Sequence, residues 1–326
     1  MSTTKQKILY FSKVFITIGL LFFLASKIDI KEVSNSISGG DKRLIILGAF
    51  TMITAWFLSA VRWQKILSSM GIKEKAMTLF GYNLIAIFYG TILPGGKLSG
   101  DLACAYRFSK KTKTETSNYF LSVIIDRMLG VAGLFLVLCL FFLFDTNYID
   151  IFGVSKIFIG LFVFFAAIVG FSIILSQRSY MVINFFEQKI SINHIKIFLS
   201  KVKEGLKKTS ENKNQIWIAT LFSLGSTIMS IVTLFILGKS VSLEVGIFTI
   251  AFSYLISTAL IFIPVTLGGI GLREGSTVYI LTALGATSEK AAATASLALI
   301  LFTTYSLLGG LLEAYIRIQE KKKTYA

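Results

Sequence analysis

The sequence predicts an all-α, polytopic integral membrane protein with about six transmembrane helices and two oppositely oriented re-entrant hairpins in an inverted repeat. Three observations point there. Hydrophobic residues make up 54% of the 326 and charged residues 15%, with a mean hydropathy of +0.74, whereas soluble domains carry roughly 25% charge. Two apolar stretches are broken in mid-course by glycine clusters. Lysine and arginine gather in alternate loops.

A crossing helix needs about 20 mostly apolar residues. Residues 8–26, 44–61, 118–144, 151–175, 215–237 and 291–315 qualify. Lys13 interrupts the first of these and the rest of the chain is equally apolar, so it reads as an uncleaved helix rather than a secretory signal. A single membrane domain over 1–326 is expected.

The first broken stretch runs over 78–93, rising about 24 Å as a helix, and meets Pro94-Gly95-Gly96, which ends helices and opens turns. The return over 98–108 carries Asp101 and Arg107 and is too short to cross. The second covers 244–263, the turn Pro264 to Gly275, and a return over 276–285. Its first arm is long enough to span; its return arm, about 15 Å, is not.

Loop charge sets the topology. With both termini cytoplasmic and each hairpin returning to its own side, the inner segments hold 23 Lys and Arg and the outer ones 7. The hairpins then enter from opposite faces. Residues 44–144 and 215–315 become two repeats of opposite orientation, a recurrent transporter plan. The intervening loop 177–214 holds eight cations with apolar residues at helical spacing, consistent with an amphipathic helix on an anionic inner leaflet.

The formal net charge of +16, from 33 basic and 17 acidic residues, has the same topological explanation. No basic domain stands free of the apolar runs, so nucleic acid is not an expected partner. Cys104 and Cys139 lack CxxC spacing and His194 is the sole histidine. No disulfide framework, metal site, histidine triad or cofactor is therefore expected.

Charges in hydrocarbon are costly, so those at membrane depth pair or face a wet cavity. That singles out Lys97, Asp101, Asp126, Arg127, Arg273 and Glu274. Lys97 and Arg273 follow the two turns near half-helix ends, where free N–H groups favour an anion. They either hold a phosphate or neutralise Asp101, Asp126 and Glu274. Asp126 lies about 12 Å from its helix end and needs a partner, with Arg107 or Arg273 expected for it and Asp101 for Arg127. Gly95, Gly96, Gly268, Gly269 and Gly271 either permit tight packing or expose backbone amides to a head group. Arg62-Trp63 reads as an interfacial anchor in preference to a head-group contact, and Glu313 near the end of the last helix is open to the same two readings.

In order and spacing, Arg62-Trp63, Leu93-Pro94-Gly95-Gly96, Gly100-Asp101, Arg107, Asp126-Arg127, Pro264 and Gly268-Gly269-Ile270-Gly271-Leu272-Arg273-Glu274 resemble a known family. It is that of the flippase-like membrane proteins related to the transmembrane half of lysylphosphatidylglycerol synthase. The resemblance covers nearly the whole chain and implies an inner-membrane protein that moves lipids, as relatives flip aminoacylated phospholipid outward. Without an aminoacyl-transfer domain, synthesis of such a lipid is not expected. The chain departs from the pattern at Lys97 and Val265-Thr266-Leu267, and other relatives are linked with polyprenyl-linked sugars.

The expectation is a lipid flippase and not an enzyme, with no catalytic residues. Its partners are the bilayer and a phosphate-bearing lipid, and the oligomeric state is left open. The Gly turns, Lys97 and Arg273 bind substrate, and Asp101, Arg107, Asp126, Arg127 and Glu274 form switching ion pairs. The alternative is a membrane enzyme, or its partner, acting on polyprenyl-linked sugar, with Asp101 and Asp126 as acid and base.

Overall fold

The computed structural model describes residues 29–93, 96–112, 116–144, 211–261, 266 and 268–325, with isolated positions before residue 29 and between 200 and 209. Most of the expected span 8–26, all of 151–175, much of the basic loop 177–214, and Pro94, Gly95, Pro264, Val265 and Leu267 lie outside the described residues.

Nine helices are assigned among the described residues: α1 (Ile30–Ser38), α2 (Lys42–Ser69), α3 (Ala76–Ile92), α4 (Gly96–Thr112), α5 (Thr116–Phe144), α6 (Lys213–Ser240), α7 (Ile247–Leu260), α8 (Leu272–Ala283) and α9 (Ser288–Tyr325). Four of them, α2, α5, α6 and α9, are long and apolar enough to cross a membrane. Between the long helices lie short ones broken at the glycine clusters, in the same order twice: long, two short, long.

The arms differ in length from the sequence reading. Helix α4 has 17 residues, longer than the expected return. Helix α7 has only 14, about 21 Å of rise, short of a hydrocarbon core of roughly 30 Å. The apolar run continues past Leu260, but the helix does not. Helix α2 continues to Ser69, eight residues beyond the expected span, so Arg62 and Trp63 fall inside it.

The ends of α2 and α6 match bond for bond at a shift of 171 residues, Lys42 against Lys213 and Ser69 against Ser240. After α2, Gly71 N–H donates to the Ser68 carbonyl and Ile72 N–H to Leu67; after α6, Ser242 N–H donates to Lys239 and Leu243 N–H to Gly238. These are Schellman caps, which need a left-handed residue. Gly71 (φ 81°) supplies it once and Ser242 (φ 56°) the second time. The Ser69 hydroxyl bonds the Ile66 carbonyl and the Ser240 hydroxyl the Leu237 carbonyl, at the same shift. The helix starts are reciprocal too. Asp41 N–H donates to the Ser240 carbonyl (2.9 Å), and the Asn212 side-chain amide donates to the Ser69 carbonyl (3.1 Å).

The chain forms two compact units. Unit 1 comprises 1–55, 81–104 and 228–326; unit 2 comprises 56–80 and 105–227. Unit 1 packs around Leu237, Leu243, Ile250, Leu281, Ala291 and Ala293, against which Val33 and Ile37 of α1 rest. Within it α3 and α4 approach backbone to backbone: a Cβ at Gly100 would strike the Ala86 carbonyl and lie 2.5 Å from Gly90 N. The small core of unit 2 joins Ile66 and Met70 to Leu121 and Ala219. The end of the basic loop reaches this unit, where Leu121 lies against Gly205 and Thr209 faces Ser69.

Candidate functional site

Unit 1 brings the two glycine breaks together. Gly96, first residue of α4, and Gly268, before α8, have φ of 64° and 61°. A Cβ on Gly96 would lie 3.6 Å from Gly268 N and 3.7 Å from its Cα. One on Gly268 would lie 3.3 Å from the Gly90 carbonyl and 3.6 Å from Thr91 Cα. Both turns therefore use the missing side chain for close approach as well as for left-handed backbone.

Acid and base flank this contact. Glu274, 6% exposed in the first turn of α8, accepts from Gly271 N–H at 2.7 Å and from Arg273 Nε and Nη2 at 3.0 and 2.8 Å. The start of α8 is thus capped by its own carboxylate, as the helix dipole favours. Arg273 lies over the Phe302 ring, its Cζ 4.6 Å from the centroid, a cation–π contact from α9. These contacts use two of the five guanidinium donors. On the other turn Lys97 is exposed and Asp101 is buried. Thr266, also at the second turn, is buried at 4%. Its hydroxyl has no hydrogen-bond partner among the described residues. Of the expected substrate-binding residues, unit 1 contains Gly96, Lys97, Gly268, Gly269, Gly271 and Arg273.

Unit 2 holds the second polar cluster and corrects the reading of Arg62. That residue is no interfacial anchor: it is 6% exposed and makes a bidentate pair with Asp126, Nε to Oδ1 at 2.7 Å and Nη2 to Oδ2 at 2.8 Å. Its Nη1 donates to Ser223 Oγ (3.1 Å) and Nη2 also to Ser59 Oγ (3.2 Å). Ser223 passes the chain on to the Leu129 carbonyl. Gly130 leaves room for the fork, since a Cβ there would come within 3.4 Å of Nη1. Neighbouring Trp63 donates from Nε1 to Ser122 at 2.9 Å. Arg127 Nη2 stands 3.9 Å from Asp126 Oδ2, the outer edge of an ion pair. Arg107, on α4, is half-buried in the same unit.

Arg62 was missed as a partner because hydropathy falls at Val61. Ile66 and Leu67, both fully buried, are the available signal that the buried face continues. Sequence reading also missed Ser223 and Phe302, whose types are unremarkable, and the partners of Glu313. Tyr89 OH donates to Glu313 Oε1 at 2.6 Å and Arg317 Nε donates to the same oxygen at 2.7 Å.

Comparison with known proteins gives a match to the family described as Lysylphosphatidylglycerol synthase TM region over residues 10–309. A 122-residue stretch is 27% identical to the Glycosyltransferase AglD of Haloferax volcanii, covering 36% of this chain and 19% of that protein. The chain thus spans under a fifth of that relative's length. The match over 10–309, the helical spans and the broken helices agree: this polytopic membrane protein belongs to the lysylphosphatidylglycerol synthase transmembrane-region family.

Proposed function

We propose that this protein is a lipid transporter of flippase type in the cytoplasmic (inner) membrane, with both termini cytoplasmic. A phosphate-bearing head group binds at the two glycine turns. The observation that carries the reading is the approach of Gly96 to Gly268, with a cation following each turn, Lys97 and Arg273. Irregular backbone at membrane depth survives only when buried in protein or lining a wet cavity, and two such turns converging is the arrangement of midplane sites in inverted-repeat transporters.

In this reading α3–α4 and α7–α8 are re-entrant hairpins from opposite faces, and the bond-for-bond match between α2 and α6 is the signature of the two repeats. Arg273 keeps three donors for phosphate oxygens while Glu274 holds its orientation. Asp101 and Glu274 in unit 1, and Arg107, Asp126 and Arg127 in unit 2, are the charged groups whose pairing changes during transport, each within its own unit. Reconstituted vesicles carrying a fluorescent phospholipid test this. Arg273→Ala, still folded, is expected to slow translocation at least about tenfold, the worth of one charge-assisted contact. Translocation at the wild-type rate would sink the assignment.

The partial match to a glycosyltransferase favours a second reading, a membrane partner in building a lipid-linked glycan. As an acid/base pair for such chemistry Asp126 is poorly suited, because both its oxygens accept from Arg62. Sugar release from a polyprenyl-linked donor by the purified protein would support this reading over transport.

A further inference from the structure

A second cluster in unit 1 lies away from the glycine turns. Helices α3 and α9 run antiparallel there, with Gly81 against Leu312 and Thr91 Oγ1 3.3 Å from Ser306 Oγ. Helical side chains lean toward their own N-terminus, so on antiparallel helices Tyr89 and Glu313 lean toward each other. The Tyr89 hydroxyl and Arg317 Nε both bond Glu313 Oε1, and Arg317 Nη2 closes the ring onto Tyr89 OH at 2.9 Å. Glu313 is 4% exposed, whereas the Arg317 side chain is 63% exposed.

That asymmetry is informative. An exposed i,i+4 pair ordinarily adds little and leaves the arginine mobile. Here a buried carboxylate and a phenol from another helix fix the guanidinium while two of its five donors are used. Three N–H groups remain on a side chain that is 63% exposed. Leu311, Tyr315 and Ile318 around it are exposed apolar side chains, and beyond them the chain turns to Gln319, Glu320 and Lys321 to Lys323. Arg317 therefore stands where α9 leaves the hydrocarbon, at head-group level. A pre-organised guanidinium with free paired donors is matched to phosphate oxygens.

We infer that Tyr89, Glu313 and Arg317 form a phosphate-binding site at the membrane boundary, separate from the glycine turns and independent of whether those turns bind a head group. Its ligand is a phosphate ester of a lipid or the free anion.

Purified full-length protein in a phosphate-free sugar detergent, titrated with dihexanoyl phosphatidylglycerol, dihexanoylglycerol or inorganic phosphate and followed by native mass spectrometry and calorimetry, tests it. Wild type is expected to bind the phospholipid, inorganic phosphate or both, and not the diacylglycerol. Arg317→Gln is expected to weaken binding about tenfold, and Tyr89→Phe about threefold, through lost alignment of the fork. Should Arg317→Gln misfold with Glu313 unpaired, the neutral double variant Glu313→Gln/Arg317→Gln removes both charges together and is expected to show the same loss. Binding of inorganic phosphate alone assigns the site to the free anion, and binding of phospholipid alone assigns it to the head group. Wild-type affinity in folded Arg317 variants, equal binding of diacylglycerol, or loss of all phosphate binding in Arg273→Ala would overturn the inference.

Discussion

Arg62 and Asp126 show what a single buried charge demands. Both are nearly closed off from solvent, and the arginine spends its donors on Asp126, Ser59 and Ser223. Removing one partner of such a pair strands the other, at a cost of about 3–5 kcal/mol. Arg62→Ala should destabilise by that amount in chemical unfolding in detergent. The double variant Arg62→Ala/Asp126→Ala should recover part of the loss, a positive coupling in a double-mutant cycle. The need of Asp126 for a partner was legible from its depth in an apolar run; the partner was not. A polar turn buried against protein and one lying in the head groups have the same composition, and only packing separates them. Ser242 presents the converse case, an ordinary serine in a left-handed cap that Gly71 fills elsewhere. Ser242→Gly should stabilise by about 0.5–1 kcal/mol, as relief of side-chain strain at positive φ predicts, measured as a higher thermal midpoint.

At the level of elements, the two broken stretches were readable because glycine and proline interrupt them, and the family resemblance rests on the same residues. Arm lengths were not readable. The apolar run after Gly246 outlasts α7, since hydrophobicity reports burial or lipid contact and not where the backbone stops coiling. Nor does composition reveal that α3 and α4 touch through Gly100. No side chain can be placed there without moving the Ala86 carbonyl or Gly90. Gly100→Leu should cost about 1–3 kcal/mol or more and lower the yield of monodisperse protein in size-exclusion chromatography. The same change at Gly246, which has nothing within 4 Å of the added atom, serves as the control.

For the whole molecule, the order of long and short helices was visible in hydropathy, and loop charge is what suggests opposite orientation of the repeats. The register at 171 residues was hidden, because the residues that match in bonding, such as Gly71 with Ser242 or Asp41 with Asn212, mostly differ in type. If the repeats are inverted, the equivalent linkers after α2 and α6 lie on opposite faces. Single cysteines at Lys73 and Glu244, in protein lacking Cys104 and Cys139, should then react with an impermeant maleimide from opposite sides of sealed vesicles. Labelling of both from one side would overturn the topology and with it the proposed transport path.

The reciprocal bonds at the starts of α2 and α6 carry a consequence of a different kind. In a two-fold dimer, residue i of one subunit meets residue j of the other, and j meets i. Asp41 with Ser240 and Asn212 with Ser69 obey that relation inside one chain. If the repeats are inverted, this is the relation that two fused copies of one half-length unit, paired as the subunits of such a dimer pair, would show. The two halves differ at the equivalent cap, where one has Gly71 and the other Ser242.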